Sequence, residues 1–268
     1  MATKLTSTDD IRLVLLGKKG VGKSSVGNSL LGSKVFKSTP LPTTNTLKPE
    51  CRRGLTTLTD QTKLVVVDTP GIADTKTSTT ETFEELARCI DLSQPGPHVF
   101  LFVLNIDRFT QEEMDTIKHI KYWFGQDVMK YAVFIVTGKD SLDYDGLTIN
   151  QYIENSPPEL KAIIEECGGR VTAINNRSPD PELEVDVKAI MTLVKQTTQA
   201  NNSQYYSQQM YSQAVKAREG QPSLVEGEKF NDVKDLRIRE ALKRHRQDQD
   251  EQTNQKKKKS DCSCNLLL

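Results

Sequence analysis

LVLLGKKGVGKSSVGNSLLG, residues 13 to 32, decides how the rest of the chain is read. Leu13 to Leu16 form an apolar run that breaks into a glycine-rich turn. The chain then resumes with Val26, Leu30 and Leu31 at the three- and four-residue spacing of a helix face. Strand, loop and helix therefore follow one another, with Gly17-x-x-x-x-Gly22-Lys23-Ser24 between the two elements. That spacing is the phosphate-binding loop, and it sits in the strand–loop–helix context the motif requires. Its glycines let successive backbone N–H groups turn inward around phosphate oxygens, and the following helix adds the positive end of its dipole. Lys23 is placed to neutralise β- and γ-phosphates and the Ser24 hydroxyl to ligate Mg²⁺. The competing reading, a plain glycine turn with a solvated lysine, does not account for the whole spacing.

Working outward, residues 1 to 10 read as a loose leader before a first strand over Ile11 to Leu16. The helix after the loop runs from Lys23 to Leu31, with Gly32 placed to end it. Ser33 to Cys51 is polar, rich in threonine and proline, and without periodicity. It reads either as a spacer or as a switch loop that supplies a threonine to Mg²⁺ and the γ-phosphate. Thr43, Thr44 and Thr46 are the candidates, with Thr44 favoured. Lys63 to Val67 is an apolar strand ending in Asp68-Thr69-Pro70-Gly71, about 50 residues beyond the loop. A carboxylate at that strand end can hold Mg²⁺ through water, and Gly71 can offer its N–H to the γ-phosphate.

Further apolar runs of strand length occur at Val99 to Leu104, Tyr131 to Val136 and Val171 to Ile174. Helical spacing occupies Glu81 to Ile90, Phe109 to Phe124, Lys161 to Cys167 and Val185 to Val194. This alternation predicts an α/β fold: a doubly wound, mostly parallel sheet with helices on both faces, and a helical extension C-terminal to it. Ligands on such a sheet bind at the C-terminal ends of the strands, where the loop and Asp68 both fall.

Composition sets outer bounds. The 268 residues carry 36 basic and 36 acidic side chains, so no global field draws the chain to nucleic acid. The five cysteines, Cys51, Cys89, Cys167, Cys262 and Cys264, lack the paired spacing of a metal site, and their odd number suits a reducing compartment. MATKLTSTDD has no apolar segment of the secretory kind, and no apolar run reaches membrane-spanning length. The expected location is the cytoplasm, peripheral on the cytosolic face of an intracellular membrane.

Four segments now carry a joint signature: GKSSVGNSLLG at 22 to 32, the DTPG turn, DLSQPGPHVFLFVLNIDRFTQEE at 91 to 113, and CGGR followed by INNR within 167 to 177. Together they resemble the immunity-associated GTPases, the GIMAP or AIG family, over about Ile11 to Lys195. The box from 91 to 113 is the discriminating part. The resemblance implies a septin-related domain that binds GTP and GDP with Mg²⁺ and dimerises through its nucleotide face. It assigns Gly17, Lys18, Gly20, Val21, Gly22, Lys23, Ser24 and Ser25 to phosphates and Mg²⁺, Asp68 and Gly71 to the second switch, and Asn175 or Asn176 to the guanine. The paired asparagines also read as an ordinary turn after a strand. Domain limits follow: a leader over 1–10, the GTPase domain over 11–197, a helical extension over 198–250 and a tail over 251–268.

Guanine reading is where the chain departs from pattern. GTPases generally end the fourth strand in Asn-Lys-x-Asp, whose aspartate accepts two hydrogen bonds from guanine. One alignment gives Gly138-Lys139-Asp140-Ser141 and puts a serine at the aspartate position. Loss of that charge-assisted pair would cost around 1.5–3 kcal/mol. Shifting by one gives Thr137-Gly138-Lys139-Asp140, which restores a carboxylate and makes Lys139 and Asp140 the expected base-side residues. A softened preference for guanine is the expectation.

Ile72 and Ala73 follow the DTPG turn, where many GTPases carry a glutamine that positions water. Slow intrinsic hydrolysis is expected. Arg108 in the box reads either as a surface arginine or as an arginine finger acting in trans, which is worth roughly a thousand-fold or more in rate. His98 before a buried strand reads as a packing residue. Near the C-terminus, Tyr205, Tyr206, Met210 and Tyr211 form one apolar stripe and Val233, Leu236, Ile238, Ala241 and Leu242 another, as packing or coiled-coil helices would. The ending KKKKSDCSCNLLL combines Lys256 to Lys259 with Cys262 and Cys264. Lysines are worth about 1 kcal/mol each at an anionic leaflet, and an acylated Cys262 or Cys264 would supply the second signal. Cys264 stands fifth from the end, one residue off the prenylation pattern. Palmitoylation of Cys262 or Cys264 is therefore favoured over a merely disordered basic tail. Two functions thus stand open: a membrane-associated GTP-hydrolysing switch, or a GTP-loaded oligomerising scaffold that hydrolyses negligibly.

Overall fold

Six strands hydrogen-bond in the order β2-β3-β1-β4-β5-β6 in the computed structural model, which describes residues 10–37, 51–71, 88–89, 91–106 and 109–217. They are β1 (Ile11–Leu16), β2 (Arg52–Thr57), β3 (Lys63–Asp68), β4 (Val99–Asn105), β5 (Ala132–Thr137) and β6 (Val171–Ile174). The helices are α1 (Lys23–Leu31), α2 (Gln111–Phe124), α3 (Lys139–Asp145), α4 (Ile149–Glu154), α5 (Pro158–Glu166), α6 (Asp180–Ala200) and α7 (Gln208–Ala217). All neighbouring strands run parallel except β2, which pairs antiparallel with β3 in a register that sets Arg52 opposite Asp68. The doubly wound, mostly parallel sheet expected from the sequence is the one the chain forms.

The central strands are buried on both faces, which is why they read as unbroken apolar runs. Leu13, Leu15, Leu64, Val66, Leu101, Val103, Val133 and Ile135 face α1 and α6 through Val26, Leu30, Ile190 and Val194. On the other face Phe100 meets Phe124 of α2 at 5.1 Å and Tyr206 at 5.4 Å between ring centroids. The segment after α6 is fastened there. Tyr206 donates its hydroxyl to the Phe124 carbonyl at 2.5 Å and its N–H to the Pro97 carbonyl at 2.8 Å. The described residues all belong to one compact unit.

β2, α3 and α4 were not legible beforehand. RRGLTT has no alternation of apolar and polar residues, because an edge strand with only Gly54 fully covered needs none. Among the described residues no helix is long and apolar enough to cross a membrane. Thr43, Thr44, Thr46, Ile72, Ala73, Arg108, Cys262, Cys264 and the second apolar stripe lie outside the described residues, as does the helix expected over Glu81 to Ile90 apart from Arg88 and Cys89.

Candidate functional site

The parallel strands bring the sequence-predicted residues to one edge of the sheet. The loop follows β1, Asp68 closes β3, Lys139 and Asp140 follow β5, and Asn175 and Asn176 follow β6.

Gly22 stands at the N-cap of α1 with φ 97°, a left-handed conformation that glycine adopts without strain. Among the described residues no side chain caps this helix, and no acidic residue lies in its first turn. Its leading N–H groups are thus left for an outside acceptor. α2 is built the other way: Thr110 accepts the Glu113 N–H and Glu113 returns to the Thr110 N–H, a complete capping box. Lys23 is 5% exposed, and its ammonium donates to the Gly17 carbonyl at 3.0 Å and the Lys18 carbonyl at 2.8 Å. Burial pushes its pKa down to about 8, against the pull of nearby Asp68. Lys18 is paired with Glu112 in the first turn of α2. Ser25 is half-buried in the first turn of α1, and Gly20 has φ 87° at the loop's exposed tip.

Ser24 and Asp68 meet directly, the hydroxyl donating to Oδ2 at 2.6 Å. Asp68 Oδ1 is buried and has no hydrogen-bond partner among the described residues. Burial pushes this carboxyl above its ordinary pKa, opposed by the Ser24 hydrogen bond and the charges of Lys23 and Arg52. Arg52, supplied by the edge strand, is a contributor that the sequence did not reveal. Gly71 lies so close to the loop that a Cβ there would sit 2.5 Å from the Lys19 N and Cα. The DTPG turn and the phosphate loop are therefore in backbone contact. Thr69 holds this turn in place by donating to the Leu15 carbonyl at 2.6 Å.

Thr137 performs a task that sequence reading missed. At the end of β5 its buried hydroxyl lies 2.8 Å from the Val21 carbonyl and 3.2 Å from that of Leu104, tying the phosphate loop to the ends of β4 and β5. The available signal was a hydroxyl residue closing an apolar strand. Three positions on from Thr137 comes Asp140, exposed in the first turn of α3, with Ser141 one step further along the same turn. Lys139 is 2.9 Å from Asp143 and 3.7 Å from buried Asp186, and these contacts, Asp143 first, raise its pKa.

The two asparagines do different work. Asn175 Oδ1 accepts the Arg177 N–H at 3.0 Å, closing an Asx turn, and the Asn175 N–H donates to Asp186 Oδ2 at 3.0 Å. Asn176 Oδ1 accepts the Ser29 hydroxyl at 2.9 Å, linking the β6 loop to α1. Asn175 thus closes a turn, whereas Asn176 bridges to α1. His98 is buried among Arg12, whose N–H donates to its Nδ1 at 3.1 Å, and Tyr205, away from the strand ends that carry the loop.

Sheet and loop together define a phosphate-loop nucleotide-binding domain. The chain belongs to the AIG1 family, whose model matches residues 11–224. It is 30% identical over 233 residues to immune-associated nucleotide-binding protein 9 of Arabidopsis thaliana, covering 84% of this chain and 68% of that protein. It is 34% identical to human GTPase IMAP family member 8 over 69% of this chain but only 28% of that longer protein. Among solved structures, Toc33 of Arabidopsis thaliana in complex with GDP and Mg²⁺ has a TM-score of 0.55 at 19% identity, covering 70% of this chain and 86% of Toc33. A further solved structure, with TM-score 0.53, 19% identity and coverage of 70% of this chain and 84% of that one, comes from the chloroplast translocon components atToc33 and psToc159, for whose GTPase activity dimerization is important. At such identity these structures establish the fold alone.

Proposed function

We propose that the chain binds GTP and GDP with Mg²⁺ and works as a nucleotide-dependent dimerising switch whose hydrolysis is slow or stimulated by the dimer. The observation that carries this reading is the Ser24–Asp68 pair at the start of α1, which among the described residues has no side-chain cap and leaves Asp68 Oδ1 buried and unmatched. A buried carboxylate oxygen without a partner costs free energy unless a cation or ordered water meets it. Mg²⁺ fits that need. Among the described residues no three His, Cys, Asp or Glu side chains gather around one point, which suits a cation that takes most of its oxygens from phosphates and water.

In this reading the N–H groups of Gly20 to Ser25 receive the phosphates. Lys23 would neutralise β- and γ-oxygens, and the Ser24 hydroxyl, with Asp68 beside it through water, would hold the cation. Mg²⁺ when bound supplies charge neutralisation on the β- and γ-phosphates. Gly71, against the loop, offers its N–H to the γ-phosphate, which couples the DTPG turn to the presence of a triphosphate. Thr137 supports the shifted register for base reading: the residue that anchors the loop is followed at the third position by Asp140, whose carboxylate suits the guanine edge. In the same reading the side-chain amide of Asn175 or Asn176 would donate to the guanine carbonyl. Thr44 as a Mg²⁺ ligand belongs to the same reading.

Nucleotide-bound dimerisation draws support from family membership and from the Toc33 structures. Arg108, acting in trans, supplies the cation that Ile72 and Ala73 do not replace. Attachment to an anionic cytosolic membrane face rests on Lys256 to Lys259 with acylation of Cys262 or Cys264. The domain extends over 11–197, with the helical extension and tail beyond. The alternative, a GTP-loaded scaffold with negligible hydrolysis, is favoured by the absent glutamine after Gly71. Single-turnover hydrolysis against protein concentration separates the two. The switch predicts a rate that climbs with concentration and collapses in Arg108→Ala, whereas a flat, near-zero rate selects the scaffold.

A further inference from the structure

Asp186, on the second turn of α6, is only 6% exposed. A buried carboxylate is tolerated when its oxygens are matched, and here they are divided between two loops that are far apart in sequence. Oδ2 accepts the backbone N–H of Asn175, just beyond β6, at 3.0 Å, and Oδ1 lies 3.7 Å from the ammonium of Lys139, just beyond β5. A charged acceptor makes such a backbone hydrogen bond stronger than a neutral one would. Lys139 is the immediate neighbour of Asp140, and Asn175 opens the Asx turn that carries Asn176.

We propose that Asp186 is a positioning residue for base selection, a buried carboxylate that fixes the loop bearing Asp140 and the loop bearing Asn175 and Asn176 at the separation a guanine ring requires. This deepens the reading of those two loops as the base pocket and rests on it. Asp186 does not touch the nucleotide. It fixes the Asn175 backbone through one oxygen and restrains the start of α3 through the other. The phosphate loop has its own ties, Thr137 to Val21 and Lys23 to the Gly17 and Lys18 carbonyls, none of which passes through Asp186. Loss of Asp186 should therefore spare phosphate affinity and erode base discrimination. A carboxylate that only fastens α6 to the sheet would weaken every ligand alike.

The test uses the full chain with Mg²⁺ present and measures the affinities of GTP, ITP, ATP and inorganic tripolyphosphate for the native protein, Asp186→Asn and Asp186→Ala. Asp186→Asn keeps an acceptor for the Asn175 N–H but removes the charge beside Lys139, and as the isosteric change it carries the test if Asp186→Ala fails to fold. The expected result is a loss of about tenfold or more in GTP affinity and in the GTP-to-ATP ratio for Asp186→Ala, a smaller loss of both for Asp186→Asn, and tripolyphosphate within about twofold of native. Equal weakening of GTP and tripolyphosphate, or an unchanged GTP-to-ATP ratio, would overturn the proposal. A native chain that bound GTP and ATP alike would instead overturn the guanine reading beneath it.

Discussion

The Ser24 hydroxyl donates to Asp68 Oδ2 at 2.6 Å, across 44 residues of sequence, while Asp68 Oδ1 stays buried and unmatched among the described residues. The first motif residue after Lys23 and the last residue of β3 thus form one acceptor-rich corner at the mouth of the loop. Asp68→Asn keeps the shape and removes the charge. The expected outcome is that Mg²⁺ strengthens GTP binding at least about tenfold less than in the native chain, with affinity in EDTA changed by less than about threefold. Titrations with and without Mg²⁺ check this.

Lys23 makes the nucleotide-free chain sensitive to alkaline pH. Burial lowers its pKa from 10.5 to about 8, so between those values the unfolded chain holds the proton more tightly than the folded one. Folded stability should then rise as pH climbs through that window, by an amount on the order of 3 kcal/mol. Lys23→Met, which cannot titrate, should lack the rise. Bound phosphates restore the charged form and should abolish it too. Urea denaturation at several pH values, with and without GDP, reads the difference.

Thr137 ties the phosphate loop to the ends of β4 and β5 with one hydroxyl. Thr137→Val keeps the volume and leaves the Val21 and Leu104 carbonyls without that donor, at a cost of about 1–3 kcal/mol. GTP and GDP should weaken together, because the loop itself is loosened. Thr137→Ser should recover most of both stability and affinity, as thermal melting and nucleotide titration would show.

At Gly71 the constraint is space rather than dihedral angle, since an added Cβ would meet the Lys19 backbone at 2.5 Å. Gly71→Ala should push the DTPG turn off the loop and cost GTP more affinity than GDP, by about fivefold or more in their ratio. Thermal stability should fall by only a few degrees, because the turn lies outside the packed sheet.

What the sequence made legible follows from physical cause. β1 was readable to the residue because a central parallel strand buried on both faces is largely apolar, β6 because Gly168-Gly169 ends the preceding helix just before a short β-branched run, and α1 because a glycine stands at each end. β2 escaped because Arg52–Thr57 lies at the sheet edge and takes its order from pairing with β3 rather than from burial. α3 and α4, seven and six residues long, are too short to show a period. In the site, the loop and Asp68 were legible because their chemistry is local in sequence. Thr137, Arg52 and Asp186 were not, since each acts on a partner that only the fold brings near. Asn175 and Asn176 show the same limit: adjacent and chemically identical, they are distinguished by Arg177 on one side and Ser29 on the other.

The central claim is a Mg²⁺-dependent guanine nucleotide site built on the loop from Gly17 to Ser25. Its most direct test is calorimetric titration of the nucleotide-free full chain with GTP and with ATP, each with and without Mg²⁺. The account predicts GTP bound at least about tenfold more tightly than ATP, and more tightly with Mg²⁺ than without. Equal affinities for the two nucleotides, or binding indifferent to Mg²⁺, would contradict it.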